Sequence, residues 1–356
     1  MPQDPRLGNF VEQHLLAIHK QEPVVLLTAF AAAEDKIEFK QDPFPQVQVL
    51  YKKRWPILDH YRALKRAYSF LKDKGYKFEL GHLHVCYPSG MVFLGFLKKL
   101  PFVITEHYSG YQSSRRHEWS KWAQTIALRI FNRASYVAPV SIALGHSLQV
   151  FGVKSPMQAV GNVVNTEVFK FTPAPEAKPF KLLHISSLQE KTKNIQGLLR
   201  GFKMALEKDP QLFLSIGGDG SLKELRDKIE RAQLPEGSYE ILAAMSPEEV
   251  AEKMAASHAF LLFSFIENQP VVLLESLCAG RPFISSKVGG ISEFSDESNA
   301  ILVEPRNEKA LSEAILQMKG QYDSYDLVEI SHKAHAEHGQ EAIADKFSKL
   351  YSSARP

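Results

Sequence analysis

The stretch FIENQPVVLLESLCAGRPFISSKVGGISE, residues 265–293, decides how the rest of the chain is read. It follows AFLLFS at 259–264, an apolar run of buried-strand length. A turn comes next, Glu267-Asn268-Gln269. Pro270 stands where a first helical residue would, and its missing N–H leaves nothing unpaired there. The pattern predicts a helix to about Ala279, stopped by Gly280. Free N–H groups at its start suit an anion or an array of ligand oxygens. Glu267 falls at the strand end, and Glu275 lies about one and a half turns into the helix. Two Glu flanking an ordinary crossover helix would give the same bare spacing, so the neighbouring residues have to decide.

Those neighbours are Ala279-Gly280-Arg281-Pro282 and Val288-Gly289-Gly290-Ile291-Ser292-Glu293. Together with Glu267 and Glu275 they resemble, in order, the donor site of family 4 glycosyltransferases, retaining enzymes of the GT-B fold. The resemblance implies an α/β chain of two Rossmann-like domains whose parallel sheets face a central cleft. The first domain would span 1–173 and be completed by about 331–356, where a C-terminal helix crosses back. The second would span 174–330. Many members read Glu-Gly-Phe-Gly where this chain reads Glu-Asn-Gln-Pro, a departure that bears on sugar selectivity.

Size and composition agree with a two-domain globular protein. The chain has 356 residues and an ordinary share of apolar and charged side chains. No apolar run approaches the roughly 20 residues of a membrane span. The N-terminus, MPQDPRLGNF, is polar and carries no signal-peptide pattern. Cys86 and Cys278 are too few for a disulfide framework, so a reducing cytoplasm is expected. Charge is uneven: residues 1–173 hold 22 Lys and Arg against 13 Asp and Glu, and the remainder 21 against 27. Basic residues interleave with aromatics at 51–55, 96–99, 115–116 and 119–122. They form either a solvated surface or a face for anionic lipid headgroups at the inner side of the plasma membrane. Nucleic acid is not expected, because no binding motif accompanies the charge.

The first half alternates strand and helix. A helix is predicted from Gly8-Asn9-Phe10 to about Lys20, with Asn9 as N-cap and Phe10, Val11, His14, Leu15 and Ile18 on one apolar face. Strands are predicted at 24–29, 47–51, 80–85, 102–106 and 136–140. Helices are predicted at 58–72, 90–97, 119–132 and 142–151. This alternation argues for a parallel sheet covered on both faces. In the resemblance, Gly8 and Asn9 belong to a loop that approaches acceptor or donor phosphate, and a strand precedes them. Only seven mostly polar residues precede Gly8, so that first strand is expected to be missing, either through a late start or in a damaged member. His82 and His84 alternate along one strand and, with no third partner in the motif, are read as packing or surface residues. His107 ends the strand VITEH, at the sheet edge where α/β ligands collect. The resemblance makes it the histidine near the reacting sugar. The segment 160–169 resembles the close of the first domain, and Pro173, Pro175 and Pro179 mark a linker.

The second half restarts with a strand at 180–185, a polar loop at 186–193 and a helix bearing Ile195, Leu198, Leu199, Phe202 and Leu206. Lys193 matches the family's diphosphate-binding Lys. Ser187 stands where an Arg is usual, leaving Lys191 and Arg281 as candidates for that cation. A strand at 212–216 ends in Gly217-Gly218-Asp219-Gly220, where the backbone can approach phosphate or nucleoside closely. Lys223 breaks the dinucleotide fingerprint, which weakens a nicotinamide oxidoreductase reading. Further elements are predicted at 239–242, 247–256, 300–303, 308–318 and 326–352. His332, His335 and His338 in the last of these are read as a polar helix face.

By resemblance, a nucleotide-diphosphate sugar is held by Lys193, Gly218, Glu267, Asn268, Gln269, Pro270, Val271 and Glu275. Glu267 and His107 attend the reacting sugar, and Gly8 and Asn9 form the acceptor or phosphate loop. No metal and no cofactor beyond the donor substrate are expected, and the acceptor would be a glycan or a lipid-linked acceptor of cell-envelope polysaccharide or glycolipid assembly. The missing strand and Ser187 keep open an inactive, truncated paralogue that binds nucleotide without transfer.

Overall fold

The structure, a computed structural model, describes residues 9–113, 115–175 and 178–355, with the side chains of Asn9 and Phe10 left aside. Gly8 and the expected capping side chain of Asn9 therefore lie outside the described residues. The chain divides into two compact units, Met1–Val163 with Gln340–Pro356, and Val164–Gly339.

The first unit begins with α1 (Asn9–His19), β1 (Leu26–Ala31), β2 (Lys36–Lys40) and β3 (Gln46–Tyr51). It continues with α2 (Pro56–Asp73), β4 (Gly81–His84), α3 (Met91–Leu94) and β5 (Phe102–Glu106). Then come α4 (Lys121–Phe131), β6 (Tyr136–Pro139) and α5 (Ile142–Phe151). The strands pair in two three-stranded groups, β1-β3-β2 and β4-β5-β6. The expectation of a missing first strand falls on residues outside the described ones; among the described residues no ladder joins the two groups. All pairings are parallel except that of β2 with β3. Sequence reading missed β2, KIEFK, because its ends are charged and it lies at the edge of its sheet, half out of the core. The helix predicted at 90–97 shortens to four residues: Gly95 leaves helical geometry, and its backbone lies so close to Tyr61 that a Cβ would sit 2.1 Å from the hydroxyl.

The second unit is one parallel sheet. Its strands are β7 (Phe180–Ser186), β8 (Leu212–Gly218), β9 (Tyr239–Leu242), β10 (Ala259–Leu262), β11 (Phe283–Ser286) and β12 (Ala300–Val303). Between and after them run α6 (Glu190–Lys193), α7 (Ile195–Leu206), α8 (Leu222–Ala232), α9 (Pro247–Ala255), α10 (Val271–Cys278), α11 (Glu308–Gly320) and α12 (Leu327–His338). The last helix, α13 (Gln340–Ala354), belongs to the first unit, where Ile343, Ala344, Phe347 and Leu350 pack with Val103, Ala138 and Ile18.

The order β12-β11-β10-β7-β8-β9 carries the functional consequence. The chain winds outward from β7 in one direction and from β10 in the other, so the loops leaving these adjacent strands diverge. That is the topological switch point at which open α/β sheets hold ligands, beyond the carboxyl ends of the strands. The two loops carry Lys193 and Glu267.

The expected boundaries at 173 and about 331 move. Val164 and Phe169 pack into the second unit's core. The Arg281 guanidinium donates to the carbonyls of Thr172 (2.8 Å) and Pro173 (2.7 Å). Ser331 donates to the Cys278 carbonyl, fastening α12 to the end of α10. These bonds tie 164–173 and α12 to the second unit.

Candidate active site

At the switch point the Lys193 ammonium lies 2.6 Å from Glu267 Oε1. The Ser264 hydroxyl donates to the same oxygen at 2.6 Å. Both charged side chains are largely withdrawn from water, at 19% and 9% exposure, so each charge depends on the other. A backbone bond fixes their approach: the Phe265 N–H donates to the Thr192 carbonyl at 2.8 Å, stitching the two loops together. Asn194, in left-handed geometry after α6, caps α7 by accepting from the Gly197 N–H, which turns the chain sharply right after Lys193.

Two glycines let backbone pass where a side chain could not. A Cβ on Gly289 would stand 2.1 Å from the Glu267 carbonyl oxygen, at φ +58°. The next residue, Gly290, donates its N–H to the Asn268 carbonyl at 2.7 Å. The Val288-Gly289-Gly290 motif thus presses on the Glu267 loop and holds its shape. Gly218 ends β8 at φ +140°, and a Cβ there would meet the Ser186 carbonyl at 1.8 Å. It is buried against the end of β7 and lies on the same side of the sheet as Lys193's loop.

Pro270 is the N-cap rather than the first helical residue, with extended ψ of 115°; α10 starts at Val271. Among the described residues no side chain caps this helix; the Leu273 N–H turns back to the Pro270 carbonyl at 3.1 Å, and the N–H groups of Val271 and Val272 are the ones at its start open to another partner. Glu275 sits mid-helix, and burial pushes its carboxyl up to about 8. Asn268 and Pro270 are buried, and Gln269 and Val271 half-buried.

Arg281 does not supply the missing cation. It is 1% exposed, and its guanidinium also donates to the carbonyls of Met254 and Ala255. It ties α9, α10 and the 172–173 segment together. Lys191 is exposed at the short α6. A cation that sequence reading passed over is Arg306, whose guanidinium lies 5.1 Å over the Phe265 ring beside the Glu267 turn. Ser264 was also missed: the last polar residue of an apolar run carries no motif of its own.

In the first unit, His107 follows directly on β5. Glu106, buried at the strand's end, accepts from the N–H groups of His107 (2.9 Å), Tyr108 (2.8 Å) and Cys86 (2.9 Å). Burial outweighs these bonds and raises its carboxyl to about 7. Glu106 therefore clamps the loop that aims His107. The His107 ring stands 3.5 Å, nitrogen to nitrogen, from His84, and its centroid is 5.5 Å from that of His14 on α1. Burial holds the His84 and His107 rings well below the usual imidazole range and His82 at about 3. The sequence reading of His82 and His84 without a third partner is corrected here. For His84 the partners are His14 and His107, which come from distant segments. His82 packs, bonded to Tyr351 and Thr105. On α12, the His335 ring bonds the Phe169 and Cys278 carbonyls, His338 is buried and His332 is exposed.

This architecture is shared with solved proteins. The structure of sucrose-phosphate synthase from Thermosynechococcus elongatus superposes with a TM-score of 0.80, 18% identity, and coverage of 97% of this chain and 92% of that one. HepE of Anabaena, solved with UDP and glucose, gives 0.74 at 18% identity, covering 99% and 98%. The lipopolysaccharide outer core galactosyltransferase WaaB gives 0.72 at 19%, covering 98% and 96%. The fold is GT-B.

Two family models match, Glycosyltransferase Family 4 over residues 11–168 and Glycosyl transferases group 1 over residues 179–320. The chain belongs to this family of glycosyltransferases. A Bacillus subtilis protein named as a teichuronic acid biosynthesis glycosyltransferase, TuaC, is 24% identical over 72% of this chain and 65% of its own length. An Escherichia coli protein named as a colanic acid biosynthesis glycosyltransferase, WcaL, is 25% identical over 58% of this chain and 52% of its own. The matched region thus spans less than two thirds of these relatives. Among the described residues no helix is long and apolar enough to cross a membrane.

Proposed function

We propose that the chain transfers a sugar, with retention of anomeric configuration, from a nucleotide-diphosphate donor to a glycan or lipid-linked acceptor of the cell envelope. The observation that carries this reading is the Lys193–Glu267 pair, held at 2.6 Å at the sheet's switch point. A buried ion pair in such a crevice is exchangeable. A ligand that brings phosphate oxygens to the ammonium and hydroxyl donors to the carboxylate replaces both partners at once, and a nucleotide sugar carries both kinds of group.

The roles follow from chemistry. Lys193 and the N–H groups at the start of α10 stabilise the diphosphate as it leaves, where negative charge grows in the transition state. Glu267, with the backbone of Asn268, Gln269, Pro270 and Val271, orients the sugar hydroxyls. The Glu275 carboxyl takes the ribose hydroxyls, and Gly218 lets the backbone of β8 approach the nucleoside. In the first unit, His107, aimed by Glu106, bonds a hydroxyl of the sugar or acceptor. Support for an envelope acceptor comes from the relatives' names and the basic, aromatic-rich first half. The same features favour work at the cytoplasmic membrane face, where exposed Trp55 and Trp122 can rest among headgroups.

The test is incubation of the chain with UDP-, GDP- and ADP-sugars and a lipid-linked acceptor extract, with NMR of the product's anomeric centre. Consumption of one nucleotide class and a product with the donor's anomeric configuration are expected. Binding without transfer would instead support an inactive nucleotide-binding paralogue, the reading favoured by Ser187. An inverted product would overturn the retaining mechanism.

A further inference from the structure

Four imidazoles crowd the carboxyl end of the first unit's β4 and β5, and they are not alike. His82 is satisfied on both sides: one ring nitrogen lies 2.6 Å from the Tyr351 hydroxyl and the other 2.7 Å from Thr105. It is a packing histidine. His84 stacks beside it at 4.3 Å between centroids, yet its Nε2 is buried with no partner among the described residues. A buried polar atom left in that state is uncommon enough to require an explanation.

The explanation lies in the neighbours. One ring nitrogen from each of His14, His84 and His107 lies within 4.8 Å of the other two. His84 Nδ1 and His107 Nε2 are 3.5 Å apart. Three imidazoles on a tetrahedral ion at metal–nitrogen distances of about 2.0–2.1 Å have nitrogens about 3.4 Å apart. One edge of that triangle is close to this length, the other two are no longer than 4.8 Å, and His14 Nε2 also lies 3.3 Å from the Gly161 carbonyl. A ring flip exchanges Nδ1 with Cδ2 and Nε2 with Cε1, so which His84 nitrogen faces an ion depends on the ring's orientation. The rings come from three supports: α1, β4 and the end of β5. His84 and His107 are half-buried, which leaves an ion a way in.

We propose that His14, His84 and His107 form a three-imidazole site for a divalent transition-metal ion of the zinc class, with a fourth position open. The site is inhibitory. An ion bound to His107 occupies the ring nitrogen that would otherwise bond a sugar or acceptor hydroxyl. This consequence rests on the role proposed above for His107; the site itself does not.

The test uses the full chain, stripped of metal, titrated with Co²⁺ and then with Zn²⁺. One Co²⁺ per chain with the strong visible absorption of a four-coordinate centre is expected, displaced by Zn²⁺. His14→Gln and His84→Gln should each weaken Co²⁺ binding more than about 100-fold, beyond what loss of an outer-shell partner does. His332→Gln, at an exposed position, should leave it unchanged. Absence of the absorption, its survival in His84→Gln, or its loss only in His332→Gln would overturn the site. If either trio variant fails to fold, ring-nitrogen NMR of the wild-type chain decides. Zn²⁺ should shift three of the 13 histidines, and a different set or none would contradict the proposal. If the metal binds and transfer continues at its metal-free rate, the site stands and the role of His107 falls.

Discussion

The two units solve one problem in opposite ways. Each places ionisable groups beyond the carboxyl ends of parallel strands. The second keeps charge there, pairing Lys193 with Glu267 in a nearly dry crevice. The first removes charge: burial keeps His82, His84 and His107 neutral and pushes Glu106 to about 7. A charged pair is matched to a ligand that brings charge of its own, such as a diphosphate. Neutral rings are matched to hydroxyls or to a metal ion. On the roles proposed above, the contrast separates donor chemistry from the chemistry of the reacting sugar.

Lys193→Ala should break the second unit's half of this contrast most severely. On the role proposed for Lys193 it removes the counter-charge of the leaving diphosphate; it also strands Glu267 with Ser264, and transfer should fall about 10²–10³-fold in kcat. Lys193→Arg should restore part of it. Steady-state assays on both variants check this.

Arg281→Met should come next, and in stability alone. Its guanidinium satisfies carbonyls on α9 and the 172–173 segment. Leaving those acceptors buried and unpaired should destabilise the chain by about 3 kcal/mol or more. Nucleotide affinity of the folded fraction should not change. A loss of affinity as large as that in Lys193→Ala would restore Arg281 as a donor cation.

The geometry of the second unit's candidate residues was legible because most of them sit in one continuous stretch. Glu267, Glu275 and the Gly289-Gly290 turn lie within 265–293, and one helix and two turns fix their relative positions. Linear spacing therefore carried geometry. Lys193 was reached only through resemblance, since a lysine before a helix has no distinctive pattern. The first unit was harder. His14, His84 and His107 are far apart in sequence and meet through sheet order and helix packing, so an apolar helix face concealed His14. Arg281 misled because a charged residue after a glycine reads as exposed, whereas here it replaces a helix cap. The antiparallel β2 escaped because an edge strand with charged ends lacks the buried strand's apolar run.

The buried carboxylates sharpen the comparison at smaller amplitude. Glu106 accepts three backbone N–H groups, and an amide cannot accept all of them, so Glu106→Gln should cost about 1–3 kcal/mol at any pH. Glu275→Gln should be near neutral at pH 6, because its carboxyl is already protonated there. A carboxyl raised from its usual 4.5 to about 8 binds its proton more tightly folded than unfolded. Its stabilising contribution is full below pH 4.5 and is lost as pH rises through about 8. Thermal melts should show stability declining across that window, with a shallower slope in Glu275→Gln. If ribose hydroxyls donate to Glu275 they favour its ionised form. Nucleotide binding near pH 7 should then release protons, visible as a dependence of the binding enthalpy on buffer.

Calorimetric titration of the wild-type chain and Glu275→Ala with UDP, GDP, ADP and NAD tests the donor site most directly. One nucleoside diphosphate should bind one to one and weaken in the variant by about 1–3 kcal/mol, the scale for removing a buried hydrogen-bond partner. Binding of NAD alone, no binding at all, or equal affinity in the variant would contradict a nucleotide-sugar site built around Glu267 and Glu275.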